Sequence, residues 1–189
     1  MSEGLFKDRG SRFIARAFPV ENEEQIKQHL AELRKEFYDA RHHCYAWVLG
    51  AEKVHYRVND DGEPSGSAGK PIHGQFLSMD ISDVLVVVIR YFGGTKLGVP
   101  GLINAYRTAT REALEAAEIV IKTVEEEIEI KYDYPMMNTV MNLVKDENLS
   151  IKETDFGIGC RLKLSVLKSQ AGAFRDKIKG IHGVDLVES

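Results

Sequence analysis

Apolar and polar positions alternate along this chain in two distinct periods, and the switches between them mark its elements. Val84–Ile89 is an unbroken run of six apolar residues, five of them β-branched, which predicts a strand buried on both faces. Ahead of it, Arg12–Phe18 alternates weakly and predicts the first strand, closed by Pro19. Glu23–Phe37 carries Ile26, Leu30, Leu33 and Phe37 at helical spacing, with acidic residues in its first turn and Arg34-Lys35 near its last. His43–Leu49 predicts a strand with His55–Val58 as its hairpin partner, and Asn59-Asp60-Asp61-Gly62 is a turn signal. A helix over about Lys70–Met79 follows, with Ser67 as its expected N-cap and Pro71 in an early position that tolerates a missing N–H. After the central strand, Leu102, Tyr106, Ala109 and Ala113 share one helical face. The first part thus reads βαββαβα.

The pattern changes around Ile119–Val124. Glu125–Tyr134 alternates as a strand with one solvated face, and Met136–Lys145 is helical. Leu149–Phe156 and Arg161–Leu167 read as strands, Ser169–Lys179 as a helix closed by Gly180, and Val184–Val187 as a last strand. That order, βαββαβ, is that of a ferredoxin-like split-βαβ domain. The expected domains are therefore residues 1–123 and 124–189.

Composition changes this picture little. A chain of 189 residues with 43% hydrophobic and 29% charged residues is an ordinary globular protein. A net charge of -4 argues against a uniformly basic nucleic-acid coat but leaves room for a local basic patch. Cys44 and Cys160 stand in apolar contexts and read as buried, unbridged residues. No apolar run approaches the ~20 residues needed to span a bilayer, and the N-terminal residues have no signal-peptide core. A cytoplasmic protein without membrane association is expected.

Candidate chemistry concentrates in two glycine-rich loops. Gly66-Ser67-Ala68-Gly69-Lys70 resembles a phosphate loop but fails the Walker pattern, because Pro64 stands where a glycine is required and Pro71 where Ser or Thr is. A glycine turn feeding a helix start beside a lysine remains, and Gly93-Gly94-Thr95-Lys96 with Gly98 repeats it. Either the two loops cradle an anion together, with Arg41, Arg90 and Arg107 nearby, or their glycines serve only tight turns. Asp60, Asp61 and Glu63 are candidate Mg²⁺ ligands and equally ordinary turn residues. His42 and His43 are adjacent on a strand and point to opposite faces, which argues against a shared metal. Tyr91-Phe92 offers a base-stacking pair, although one member must face inward. Trp47 reads as core, and no nucleophile has a paired base.

Three blocks carry a resemblance: Asp39–Trp47 (DARHHCYAW), Asp60–Pro71 (DDGEPSGSAGKP) and Arg90–Tyr106 (RYFGGTKLGVPGLINAY). Through them the chain resembles the IMPACT/YigZ family, in its bacterial form. The resemblance implies an α+β protein with a ribosomal protein S5 domain 2-like N-terminal domain and a C-terminal ferredoxin-like domain. That pair is similar to the last two domains of elongation factor G. Eukaryotic members of the family regulate translation by restraining activation of an amino-acid-starvation kinase. The resemblance transfers no catalytic residue and no cofactor. The expected function is translation-associated regulation, through RNA or ribosome binding at Arg41, Gly66, Gly69, Lys70, Arg90, Gly93, Gly94, Lys96, Gly98 and Arg107. The alternatives are a metal-dependent enzyme on a phosphorylated or anionic substrate, using Asp60, Asp61 and Glu63, and a module that binds a protein partner of the translation machinery.

Overall fold

The computed structural model describes residues 1–157 and 159–187. They form two compact units, Met1–Ile119 and a second from Val120 onward. Each holds one antiparallel sheet, so the chain is an α+β protein of two domains.

The first unit runs β1 (Ser2–Asp8), β2 (Ser11–Pro19), α1 (Glu23–Glu36), β3 (His42–Leu49), β4 (His55–Asn59), α2 (Gly69–Ser78), β5 (Val84–Tyr91) and α3 (Gly98–Glu115). The expected elements are present, preceded by a strand that alternation did not announce. β1 shows no apolar stripe because the residue it buries is a glycine. A side chain at Gly4 would stand 2.4 Å from the Ala109 carbonyl oxygen, so the strand lies directly on α3. Arg9 and Gly10 turn the chain into β2 with φ of 45° and 78°, the left-handed pair that a tight hairpin uses.

The sheet order is β1-β2-β5-β3-β4, which puts β5 in the middle. Its continuous apolar run follows from cover on both sides. Val84, Val86 and Val88 enter a core with Phe13, Ile72, Phe76, Leu102, Tyr106 and Ala109, on the side of α2 and α3. Leu85, Val87 and Ile89 enter a second core with Ile26, Leu33 and Trp47, on the side of α1. Each such aliphatic side chain removed from water contributes about 1.5–3 kcal/mol before the cost of ordering.

The second unit runs β6 (Glu125–Tyr132), a 3-10 turn (Tyr134–Met136), α4 (Met137–Asp146), β7 (Ser150–Phe156), β8 (Cys160–Leu167), α5 (Lys168–Lys179) and β9 (Val184–Leu186). Its sheet order β7-β8-β6-β9 is that of a ferredoxin-like βαββαβ domain. Ile128, Ile130, Leu162 and Leu164 alternate onto the helices, against Val140, Phe174 and Ile178.

Candidate functional site

The loop between β4 and α2 is organised by the side chain of Asp60. Asp60 Oδ1 accepts from the backbone N–H groups of Ala68 (3.0 Å) and Gly69 (2.8 Å), and Oδ2 accepts from that of Gly66 (2.8 Å). The expected N-cap, Ser67, does not cap: its hydroxyl donates to the Pro64 carbonyl at 2.6 Å. The N-cap position is Ala68, which has no side chain for the task. A carboxylate from the preceding turn supplies the acceptors and the negative charge that a helix start favours. The amides of Gly66 and Gly69 are thus spent internally, and the phosphate cradle expected there is already filled. Gly69 also needs its missing side chain, since a Cβ would lie 2.7 Å from the Asn59 nitrogen.

Below this loop lies a buried polar network. Arg90 Nη1 donates to Glu63 Oε1 at 2.6 Å, with both side chains under a tenth exposed. The Tyr106 hydroxyl donates to the same oxygen at 2.8 Å. The Cys44 thiol lies 3.0 Å from the Asp60 carbonyl oxygen and 3.3 Å from the Tyr106 hydroxyl. Burial pushes the Cys44 thiol and the Tyr106 phenol far above their ordinary values, and neighbouring carboxylates add to both shifts.

The three carboxylates considered for a metal therefore serve separate tasks. Asp60 caps α2 and Glu63 neutralises Arg90. Asp61 Oδ2 accepts from the His43 backbone N–H at 2.7 Å, and its Oδ1 stands 3.6 Å from Arg34. Among the described residues no group of three His, Cys, Asp or Glu side chains is placed to hold a metal. His42 and His43 diverge as their adjacency requires. His42 Nδ1 donates to the Asp61 carbonyl at 2.8 Å, while the buried His43 ring has no partner at Nε2.

The second glycine loop is built for close approach. A Cβ on Gly93 would fall 1.9 Å from the Gly10 carbonyl carbon, and the Gly93 N–H donates to the buried Ser11 hydroxyl at 3.1 Å. Gly94 and Gly98 take φ of 89° and 72°, which glycine adopts without strain.

An open cleft of about 400 Å³ sits at the end of the sheet, walled by Asp39, Arg41, His42, Arg90, Tyr91 and Phe92. The Tyr91 hydroxyl donates to Asp39 at 2.7 Å, and Arg12 lies 4.9 Å above the Tyr91 ring. Phe92 is 58% exposed, with the Arg90 guanidinium 5.7 Å from its ring centre. Tyr91 is half-buried, so this pair divides between inside and outside as strand geometry demands. Of the expected binding residues, Arg41 and Arg90 meet at this cleft. Lys70, Lys96 and Arg107 are exposed, at the start of α2, ahead of α3 and within α3. Asp39 and His42 carry no sequence signal as binding residues. Their place here depends on the pairing of His42 with Arg90 across β3 and β5, which no local pattern encodes.

The family model described as the Impact N-terminal domain matches residues 9–114. The IMPACT family member YvyE of Bacillus subtilis (strain 168) is 31% identical over 166 residues, covering 88% of this chain and 76% of the relative. The IMPACT family member YigZ of Escherichia coli (strain K12) is 32% identical over 170 residues, covering 89% of this chain and 83% of the relative. A solved chain described as the crystal structure of an hypothetical protein is 28% identical, with a TM-score of 0.70, over 100% of this chain and 93% of that one.

Proposed function

This chain belongs to the IMPACT family, and from that footing we propose that it is a translation-regulatory protein of the cytoplasm that acts by binding RNA or the ribosome. The family resemblance supplies the link to translation, and one observation carries the RNA reading. Arg41, Lys70, Lys96 and Arg107 are exposed, and none has an ion-pair partner among the described residues. Several acidic side chains of the same unit are already engaged: Glu3 and Glu36 with Arg16, Glu23 with His55, and Asp80 with Lys53. Uncompensated cations on a chain of net charge -4 fit a polyanion held through its phosphates, with little sequence preference. The Gly66 and Gly69 amides are held by Asp60 and the Gly93 amide by Ser11, so the contact draws chiefly on side chains.

Sedimentation with ribosomes tests the proposal. The protein is expected in the ribosome pellet at low salt and in the supernatant at high salt. Absence from the pellet at low salt, together with no affinity for RNA, would overturn it. The enzyme alternative finds no support in the donor set, because its three carboxylates are committed elsewhere. The protein-docking alternative gains nothing from the open sheet face of the second unit. There Glu129 lies 3.6 Å from Arg161 and Glu153 lies 3.0 Å from Lys163, so part of its acidic charge is met across strands.

A further inference from the structure

We infer that the cleft walled by Asp39, Arg41, His42, Arg90, Tyr91 and Phe92 takes one unpaired nucleotide, its base laid on the Phe92 ring and its phosphate drawn to Arg41. This deepens the RNA reading and rests on it. Phe92 follows directly on β5 and is 58% exposed, although β5 itself is buried. An aromatic ring left in water at a cleft rim contributes nothing to the core and offers a stacking face. Arg90 stands over the ring and is itself more than nine-tenths buried and held by Glu63, so the cation beside the ring is fixed in place. Arg90 lines the cleft as well, between the Phe92 ring and Glu63. His42 also lines the cleft, with its Nδ1 held by the Asp61 carbonyl at 2.8 Å. Asp39 adds a carboxylate. Polar and charged side chains thus share one cleft with an exposed aromatic ring, the combination that recognition of an unpaired base uses.

A volume of about 400 Å³ lies within the range of about 300–1,000 Å³ for small-ligand sites and admits a single nucleotide. A duplex cannot use it, because its bases are already stacked on each other. The nucleotide can come from single-stranded RNA or from a free mononucleotide, and the two sources are separable by experiment.

The test uses the full chain with three probes: a fluorescent single-stranded RNA decamer, the same sequence as a duplex, and UMP or AMP followed by NMR shifts of Tyr91, Phe92 and His42. Wild-type protein is expected to prefer the single strand. Phe92→Ala should weaken single-strand binding about tenfold while leaving duplex binding unchanged. Phe92→Leu keeps the bulk without the ring and should lose as much, which separates stacking from general packing. Lys96→Ala should weaken both RNA forms alike. Equal binding of the two RNA forms, unaffected by Phe92→Ala, would overturn the cleft proposal and leave the RNA reading intact. Mononucleotide shifts at the cleft without RNA binding would support the cleft proposal and overturn the RNA reading. No response to any probe would overturn both.

Discussion

Asp60 caps a helix that begins nine residues later, with its Oδ1 2.8 Å from the backbone nitrogen of Gly69. The contact explains how α2 starts at Gly69 without a side-chain cap from Ala68, and it turns a turn-type aspartate into a non-local tie. Asp60→Ala strands three amide donors and should cost about 1–3 kcal/mol of unfolding free energy. Asp60→Asn keeps one good acceptor and should cost less. Urea denaturation followed by circular dichroism reads both, and a neutral Asp60→Ala would mean that the cap carries no stability.

Glu63 and Arg90 form a buried ion pair that also satisfies Tyr106. Removing one partner leaves a buried charge uncompensated, so Glu63→Gln or Arg90→Met alone should destabilise by about 3–5 kcal/mol. The double variant should recover much of that loss, because both charges leave together. Additive losses in the cycle would show that the two side chains act independently.

Both cysteines are buried and unbridged, and burial raises the Cys44 thiol well above its ordinary range. Native protein should therefore resist an aromatic disulfide reagent at pH 8, and unfolded protein should release two equivalents at once. Fast labelling of native protein would place a thiol at the surface instead.

Two histidines tie stability to pH. Burial holds the imidazole of His43 below its ordinary value of 6.5; Asp61 opposes that shift and Arg34 adds to it. His73, stacked 4.4 Å from Tyr56, is lowered by burial alone. The unfolded chain therefore takes up protons at a higher pH than the folded one. Stability should be full above pH 6.5 and fall as pH drops below it. Urea midpoints between pH 7.5 and 5.5 should decline, with a shallower slope in a His43→Gln, His73→Gln double variant. Equal slopes would assign the decline to other groups.

The elements that sequence made legible are those with a local period. β5 announced its two covered faces by an unbroken run, and α3 announced Leu102, Tyr106, Ala109 and Ala113 by their spacing. β1 stayed hidden because Gly4, the position it buries, carries no hydrophobic signal. The site was harder to read for a related reason. Arg90 ends an apolar run and read as a surface cation, but its partner Glu63 stands 27 residues earlier. Gly66 and Gly69 read as an anion cradle because nothing local shows that Asp60 fills it. Such non-local pairings are fixed by the tertiary fold, and no window of sequence contains both members.

The most direct test of RNA binding is its salt dependence. Four phosphate contacts, from Arg41, Lys70, Lys96 and Arg107, predict that log K for single-stranded RNA falls against log salt with a slope of about -3. Each substitution of one of these residues by alanine should reduce that slope by about 0.7. A slope near zero, or one unchanged by all four substitutions, would contradict an RNA-binding surface at these residues.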